Sequence, residues 1–283
     1  MTLIAQVGRT GDMRCKDQVV VITGASMGIG EALARAFLAE GARIVLSSRD
    51  LPRLEAVRSQ IGTTERTSAI ACDVRDRAQI DNLVRAAKQR FGRIDVWINN
   101  AGYGMLDAVA SMSIEECRRL FDTNFFGAIA CMQAVIPLFQ AQRAGTIINV
   151  SSVVGHLPVP NMSAYCASKH ALNAVSEAAR LELEPSGVRV MSVCPGRIKT
   201  NFGVNTVRGS EAKRLGDTFQ QGISAERCAR AIVNGYVRGT RELFVPWHAF
   251  LVSHLYEFWP QLVEFGMRRM MKSAVAKGDQ IPA

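Results

Sequence analysis

Short apolar, β-branched runs alternate along the chain with longer stretches in which apolar positions recur every three or four residues. Val19-Val20-Val21-Ile22 is apolar throughout and too short for a helix, the pattern of a strand buried on both faces. It ends at Thr23-Gly24, and Ile29 to Glu40 then keeps the helical period up to Gly41, a C-terminal glycine stop. The unit repeats. Ile44-Val45-Leu46 precedes a helix from about Leu51, Ala69-Ile70-Ala71 one from about Arg77, and Ile94 to Ile98 one from about Ile114. Thr146 to Val150 precedes a helix running through Leu172, and Val188 to Val193 makes a sixth strand. After Pro195 come a polar stretch from Arg197 to Gln221, a helix from about Ala225 to Val237 and a short strand near Leu243 to Val245.

Strands alternating with helices require right-handed crossovers, which cover both faces of a parallel sheet. The predicted fold class is α/β, a Rossmann-like doubly wound parallel sheet of about seven strands with helices on both faces, in a single domain. Residues 1–16 read as a mobile lead-in. Residues 17–245 form the α/β domain, with a substrate loop at 197–221, and residues 246–283 form a hydrophobic C-terminal extension of it.

Composition changes this picture little. Lys and Arg number 34 against 25 Asp and Glu, a net charge of +9, which raises the question of an anionic partner. A solvated basic surface accounts for the charge as well, and the absence of a recognised motif argues against nucleic acid. The seven cysteines are odd in number, widely spaced and free of C-x-x-C pairs. They read as reduced thiols in a cytoplasmic compartment, with no metal site expected. Met1 to Lys16 lacks the apolar core and cleavage pattern of a signal peptide, and Leu243 to Trp259 is broken as a span by Pro246, His248, His254 and Glu257.

Candidate chemistry begins at Thr23-Gly24-Ala25-Ser26-Met27-Gly28-Ile29-Gly30, between the first strand and the first helix. Glycines there let the backbone turn and approach a pyrophosphate, while the helix N-terminus offers N–H groups and a favourable dipole. The spacing, G-x-x-x-G-x-G, differs from G-x-G-x-x-G, but its place is that of a dinucleotide loop. At the end of the second strand, Ser48 occupies the place of a ribose-binding acid and Arg49 offers a partner for a 2′-phosphate. Asp50 is either an NAD-type ribose acceptor or the N-cap of the next helix. The balance favours NADP(H) over NAD(H).

Tyr165 and Lys169 are four apart on a helix and so share a face, where an ammonium would lower the phenol pKa towards that of a general acid/base. Ser152 lies beyond the fifth strand, on the edge where open α/β sheets bind ligands. With these residues in view the chain resembles the short-chain dehydrogenase/reductase family. The resemblance rests on the Thr23 to Gly30 loop, Asp73-Val74, Asn99-Asn100-Ala101-Gly102, Asn124 in the fifth helix, Ser152, Tyr165, Lys169, Pro195-Gly196 and Thr200.

The resemblance implies roles. Tyr165 would be the acid that protonates a carbonyl oxygen, or the base in the reverse oxidation. Lys169 would lower its pKa and hold the nicotinamide ribose, Ser152 would bond the substrate oxygen, and Asn124 would anchor a water that relays protons to Lys169. For Asn124, bonding to backbone is the alternative. Gly24, Ser26, Met27, Gly28, Ile29 and Gly30 would bind the cofactor's phosphates. Asp73 and Val74 would contact adenine, although Asp73 could instead cap the next segment. Asn100, Ala101 and Gly102 would line the cofactor, and Pro195, Gly196, Ile198 and Thr200 would close over its nicotinamide end. The implied activity is hydride transfer between NADP(H) and a carbonyl or secondary alcohol of apolar character, without metal. A catalytically silent nucleotide-binding protein of the same fold is the alternative, and the joint presence of Ser152, Tyr165 and Lys169 argues against it.

The extension carries Trp247 and Trp259, and Leu251, Leu255, Phe258, Leu262 and Phe265 recur at helical spacings, with Pro260 as a break. It reads as a satellite core or a contact in a homodimer or homotetramer, as a lid over an apolar substrate, or as a peripheral membrane helix aided by Arg268, Arg269 and Lys272. His248 and His254, six apart, fit one metal-binding helix face poorly and read as ordinary polar positions.

Overall fold

The computed structural model describes residues 13–209 and 222–276. Its main sheet has seven strands: β1 (Val19–Thr23), β2 (Arg43–Ser48), β3 (Thr67–Ala71), β4 (Val96–Asn99), β5 (Gly145–Val150), β6 (Val188–Pro195) and β7 (Glu242–Val245). All pair in parallel, in the order β7-β6-β5-β4-β1-β2-β3. The order reverses between β1 and β4, which opens a crevice at the carboxyl ends of the strands.

The helices are α1 (Gly28–Ala39), α2 (Leu51–Ile61), α3 (Arg77–Phe91), α4 (Ile114–Phe121), α5 (Gly127–Gln142), α6 (Ser163–Leu183), α7 (Ala225–Val237), α8 (His248–Phe258) and α9 (Pro260–Ala276). Alternate residues of β1 serve different cores. Val20 and Ile22 pack with Leu33 and Phe37 of α1 and Ile232 of α7. Val19 and Val21 pack with Leu83 of α3, Val135 of α5 and Leu183 of α6. Burial on both faces is why β1 is apolar at every position up to Thr23.

Several expectations need correction. Four residues of the supposed mobile lead-in are held by the fold. Cys15 is buried, its N–H donates to the Glu40 carbonyl, and Arg14 pairs with the Glu40 carboxylate and Asn234. Residues 1–12 lie outside the described residues. β4 starts at Val96 instead of Ile94, because the Asp95 carboxylate accepts the Val19 N–H at 2.8 Å and fastens the strand entry. The helix after β5 starts at Ser163 and runs to Leu183, beyond the Leu172 expected. Asn124 lies in a π-turn, Asp122–Phe126, that joins α4 to α5, and not within a regular helix. The α4–α5 rod, Ile114–Gln142, is long and apolar enough to span a membrane, yet Cys131, Met132, Val135 and Phe139 place it against the sheet.

The first part of the expected substrate loop, 197–221, forms short paired strands. Ile198-Lys199 pairs with Ile223-Ser224, and Val207-Arg208 pairs with Met105-Leu106. Residues 210–221 of that loop lie outside the described residues. In the extension, Pro260 occupies the first position of α9, where a missing N–H costs nothing.

Candidate active site

The cradle at the end of β1 leaves no room for side chains. Gly24 has φ +66°, and a methyl group on it would sit 2.8 Å from Ala101 Cα. On Gly30 it would lie 2.3 Å from the Gly24 carbonyl oxygen. Thr23 Oγ1 donates to the Ile98 carbonyl at 3.2 Å and accepts the N–H groups of Asn100 and Ala101, both at 3.1 Å. Asn100 Nδ2 donates to the carbonyls of Thr23 and Gly24 at 3.0 and 3.1 Å. Two loops from neighbouring strands are thereby locked into one rim. Met27, at the N-cap of α1, supplies no side-chain cap, so the first amides of the helix, those of Gly28, Ile29 and Gly30, are not capped by it, as a phosphate site requires. These residues, with Ser26 on the same turn, fit a dinucleotide.

At the end of β2, Asp50 is the N-cap of α2, its carboxylate accepting the Arg53 N–H at 3.0 Å. Ser48 Oγ accepts the Asp50 N–H at 3.3 Å, and Arg49 is exposed. The Asp50 carboxylate is thus engaged locally, while Arg49 is presented at the strand end. Asp73 pairs with Arg75 at 2.6 Å, and that hydrogen bond holds its carboxyl below the ordinary range. The cap of α3 is Asp76, not Asp73. Val74 is buried against Gly127, where an added methyl would meet it at 2.8 Å.

Ser152 follows β5 and caps the 3-10 turn Val153–Gly155; its Oγ accepts the Val154 N–H and donates to the Pro195 carbonyl, both at 3.3 Å. Tyr165 and Lys169 lie one turn apart on α6, both buried. Lys169 Nζ donates to the Val150 carbonyl at 2.9 Å and lies 5.8 Å from the Tyr165 ring centre. Desolvation lowers the Lys169 pKa to about 8. The same burial raises the Tyr165 phenol, and a hydrogen bond to Ser152 only partly opposes it. In the chain alone the expected lowering of Tyr165 is therefore reversed, because Lys169 is itself desolvated and engaged with a backbone carbonyl.

Asn124 Oδ1 accepts the Tyr103 N–H at 3.1 Å, and its Nδ2 donates to the Tyr103 carbonyl at 2.9 Å and to Ser168 Oγ at 3.3 Å. Backbone bonding, the alternative reading of this residue, accounts for much of its polar capacity. Gly102 is wedged here: a methyl on it would lie 3.0 Å from Asn124 Oδ1 and 3.8 Å from Lys169 Nζ.

Beyond β6, the Gly196 N–H donates to the Val245 carbonyl at 2.8 Å, and Ile198 is buried. Thr200 caps the 3-10 turn Asn201–Asn205 and reaches the phosphate loop, 3.4 Å from where a methyl on Gly28 would stand. Asn205 Nδ2 contacts Met27 Sδ at 3.3 Å. Phe202 on the same turn places its ring 5.8 Å from that of Tyr165. Met105, Leu120, Ala164 and Tyr165 form an apolar cluster flanked by Tyr103, Met112 and Phe202. Sequence reasoning missed Phe202, and it missed the buried chain in which Asn99 Nδ2 donates to Asn149 Oδ1 at 2.8 Å and Asn149 Nδ2 to Ser176 Oγ at 2.7 Å. Paired asparagines in otherwise apolar strands were the available signal.

Comparison with known proteins agrees with this geometry. Residues 18–210 match the model of the short chain dehydrogenase family. "Dehydrogenase/reductase SDR family member 7" of Homo sapiens is 30% identical over 277 residues, covering 95% of this chain and 82% of that one. A short-chain dehydrogenase from Burkholderia cenocepacia J2315, solved with NADP, shares 27% identity at TM-score 0.76, covering 90% of this chain and 98% of that chain. A family member from Burkholderia phymatum, solved with NAD, has the same fold at TM-score 0.82 and 24% identity, covering 88% of this chain and 96% of that chain. The chain belongs to the short-chain dehydrogenase/reductase family, and is an NAD(P)-dependent oxidoreductase acting on small molecules.

Proposed function

We propose that the chain transfers hydride between NADP(H) and an apolar ketone or aldehyde, or the corresponding secondary alcohol, with Ser152, Tyr165 and Lys169 as the reacting constellation. One observation carries this reading: the three side chains converge at the carboxyl edge of the sheet beside a glycine cradle, with Met105, Leu120 and Phe202 packed around Tyr165. NADP(H), when bound, supplies or accepts the hydride at its nicotinamide ring. Ser152 Oγ orients the substrate oxygen and stabilises its developing charge. Tyr165 Oη donates the proton to that oxygen in reduction and removes it in oxidation. Lys169 Nζ holds the cofactor ribose and favours the phenolate once the cofactor is in place, and Asn124 keeps the Tyr103 segment and Ser168 in register beside it.

Arg49 supports NADP(H), since it stands at the strand end with Ser48 while Asp50 is engaged as a cap. A panel of carbonyls of increasing apolar size, followed by nicotinamide absorbance with NADPH and NADH, tests the proposal. Turnover with NADPH is expected, and Arg49→Ala should weaken NADPH tenfold or more while leaving NADH unchanged. Tight cofactor binding without turnover on any carbonyl would leave a silent nucleotide-binding protein. NADH bound as tightly as NADPH, unchanged in Arg49→Ala, would remove the NADP preference.

The domain of residues 17–245 carries this site, with residues 246–283 as its hydrophobic extension. Trp247, Phe258, Trp259, Leu262 and Phe265 are exposed on α8, α9 and their flanks, which supports contact between copies in a homodimer or homotetramer. The exposed Arg268 beside this face makes an anionic membrane surface the competing occupant, and sedimentation with and without anionic vesicles separates the two. Seven free thiols suit a cytoplasmic compartment.

A further inference from the structure

Behind the candidate active site, three ligand-type side chains from distant parts of the chain meet. His156 follows the turn capped by Ser152, Cys194 is the penultimate residue of β6, and Glu242 opens β7. His156 Nε2 lies 3.1 Å from Glu242 Oε1 and 3.4 Å from Cys194 Sγ, and Cys194 Sγ lies 3.7 Å from Glu242 Oε1. A tetrahedral zinc ion, with a sulfur bond of about 2.3 Å and nitrogen and oxygen bonds of about 2.0–2.1 Å, holds such donors about 3.3–3.6 Å apart. Each observed separation falls within about 0.3 Å of that spacing.

Hydrogen bonding alone does not satisfy this cluster. The Asn173 amide nitrogen also lies 3.0 Å from His156 Nε2, so an imidazole nitrogen with one hydrogen or one lone pair faces three polar groups. Two polar oxygens around it, Asn173 Oδ1 and Ser192 Oγ, are buried without a partner. Ser192 stands opposite Glu242 in the β6–β7 register, and Asn173 lies one turn beyond Lys169 on α6.

We propose that His156 Nε2, Cys194 Sγ and a Glu242 carboxylate oxygen form a three-ligand site for a zinc-class divalent cation, with the fourth position taken by water or a small anion. The mixed sulfur, nitrogen and oxygen set selects a borderline metal over magnesium or calcium. Binding forms the metal–sulfur bond and releases the thiol proton to solvent. The cation would clasp together the Ser152 turn, the strand leading to Pro195 and the strand leading into the extension. It stands outside the hydride-transfer chemistry, so this inference holds or fails independently of the proposed reaction. Sequence spacing gave no hint of it: Cys194 is 38 residues from His156 and 48 from Glu242.

Titration of the purified full chain with Co²⁺ tests the site, because thiolate ligation gives a near-ultraviolet charge-transfer band and tetrahedral geometry gives intense visible bands. The parent should take up one Co²⁺ per chain with both signatures, be displaced by Zn²⁺, and melt at a higher temperature when loaded. Cys194→Ser should abolish the thiolate band. Glu242→Gln and His156→Gln, at less buried positions, should each weaken binding tenfold or more and carry the test if Cys194→Ser fails to fold. Cys117→Ser should change nothing. A parent without the thiolate band, a band that survives Cys194→Ser, or parental affinity in both Glu242→Gln and His156→Gln would overturn the proposal.

Discussion

The phosphate-loop edge and the C-terminal extension use glycine to opposite ends. At the edge, glycine, threonine and asparagine are consumed in bonds between loops, and added atoms would strike backbone at Gly24 and Gly30. In α9, a methyl on Gly266 would meet no atom within 4 Å among the described residues, and Leu262 and Phe265 are 58% and 64% exposed. The contrast teaches where each requirement is met. The positions proposed to hold a charged cofactor and a proton donor are fixed by several bonds at once at the sheet ends. The extension meets no such demand at these positions, and its exposed side chains, Trp259, Leu262 and Phe265 among them, face solvent.

The sharpest break of this contrast is at Tyr165. Tyr165→Phe should retain cofactor affinity within about twofold and lose about 10²–10⁴ in turnover, as steady-state kinetics beside a cofactor titration would show. Lys169 comes next. Its pKa of about 8 in the fold lies below the unfolded value, so the folded ammonium is penalised below about pH 8 and relieved as pH rises towards 10.5. Across that window the parent should gain roughly 3 kcal/mol relative to Lys169→Met in denaturant titrations at stepped pH.

A smaller effect is expected at Gly24. Gly24→Ala forces a left-handed backbone on a side chain and should cost about 1–3 kcal/mol, with NADPH binding weakened tenfold or more. The smallest effect has the other sign. Gly266→Ala, in a helix and clear of neighbours, should stabilise by about 0.5–1 kcal/mol without altering cofactor affinity. Thermal melts of both glycine variants compare the two regions directly, and equal losses would erase the distinction.

What was legible in the sequence follows physical range. Strands buried on both faces are apolar at successive positions, so β1 and the loop after it stood out. Tyr165 and Lys169 were readable as a pair because helical spacing brings residues four apart onto one face. Asp50 was readable as a cap because a cap is local. The direction of the Tyr165 shift was not, since sequence names the neighbouring ammonium but not the loss of water around the phenol. The Phe202 contact, the Asn99–Asn149–Ser176 chain and the His156–Cys194–Glu242 cluster arise from register between distant strands and turns, which no short-range pattern encodes. The π-turn at Asn124 is set by backbone pairing, and residue type did not announce it.

Transfer of deuterium from NADPH dideuterated at nicotinamide C4 tests the central claim most directly, with the parent and Tyr165→Phe run over the same panel of apolar ketones and aldehydes. One deuterium atom, delivered as deuteride, is predicted at the carbinol carbon of the product with the parent, and almost no such product is formed by Tyr165→Phe although the labelled cofactor stays bound. Label absent from the reduced product, or parental incorporation in Tyr165→Phe, would contradict the account.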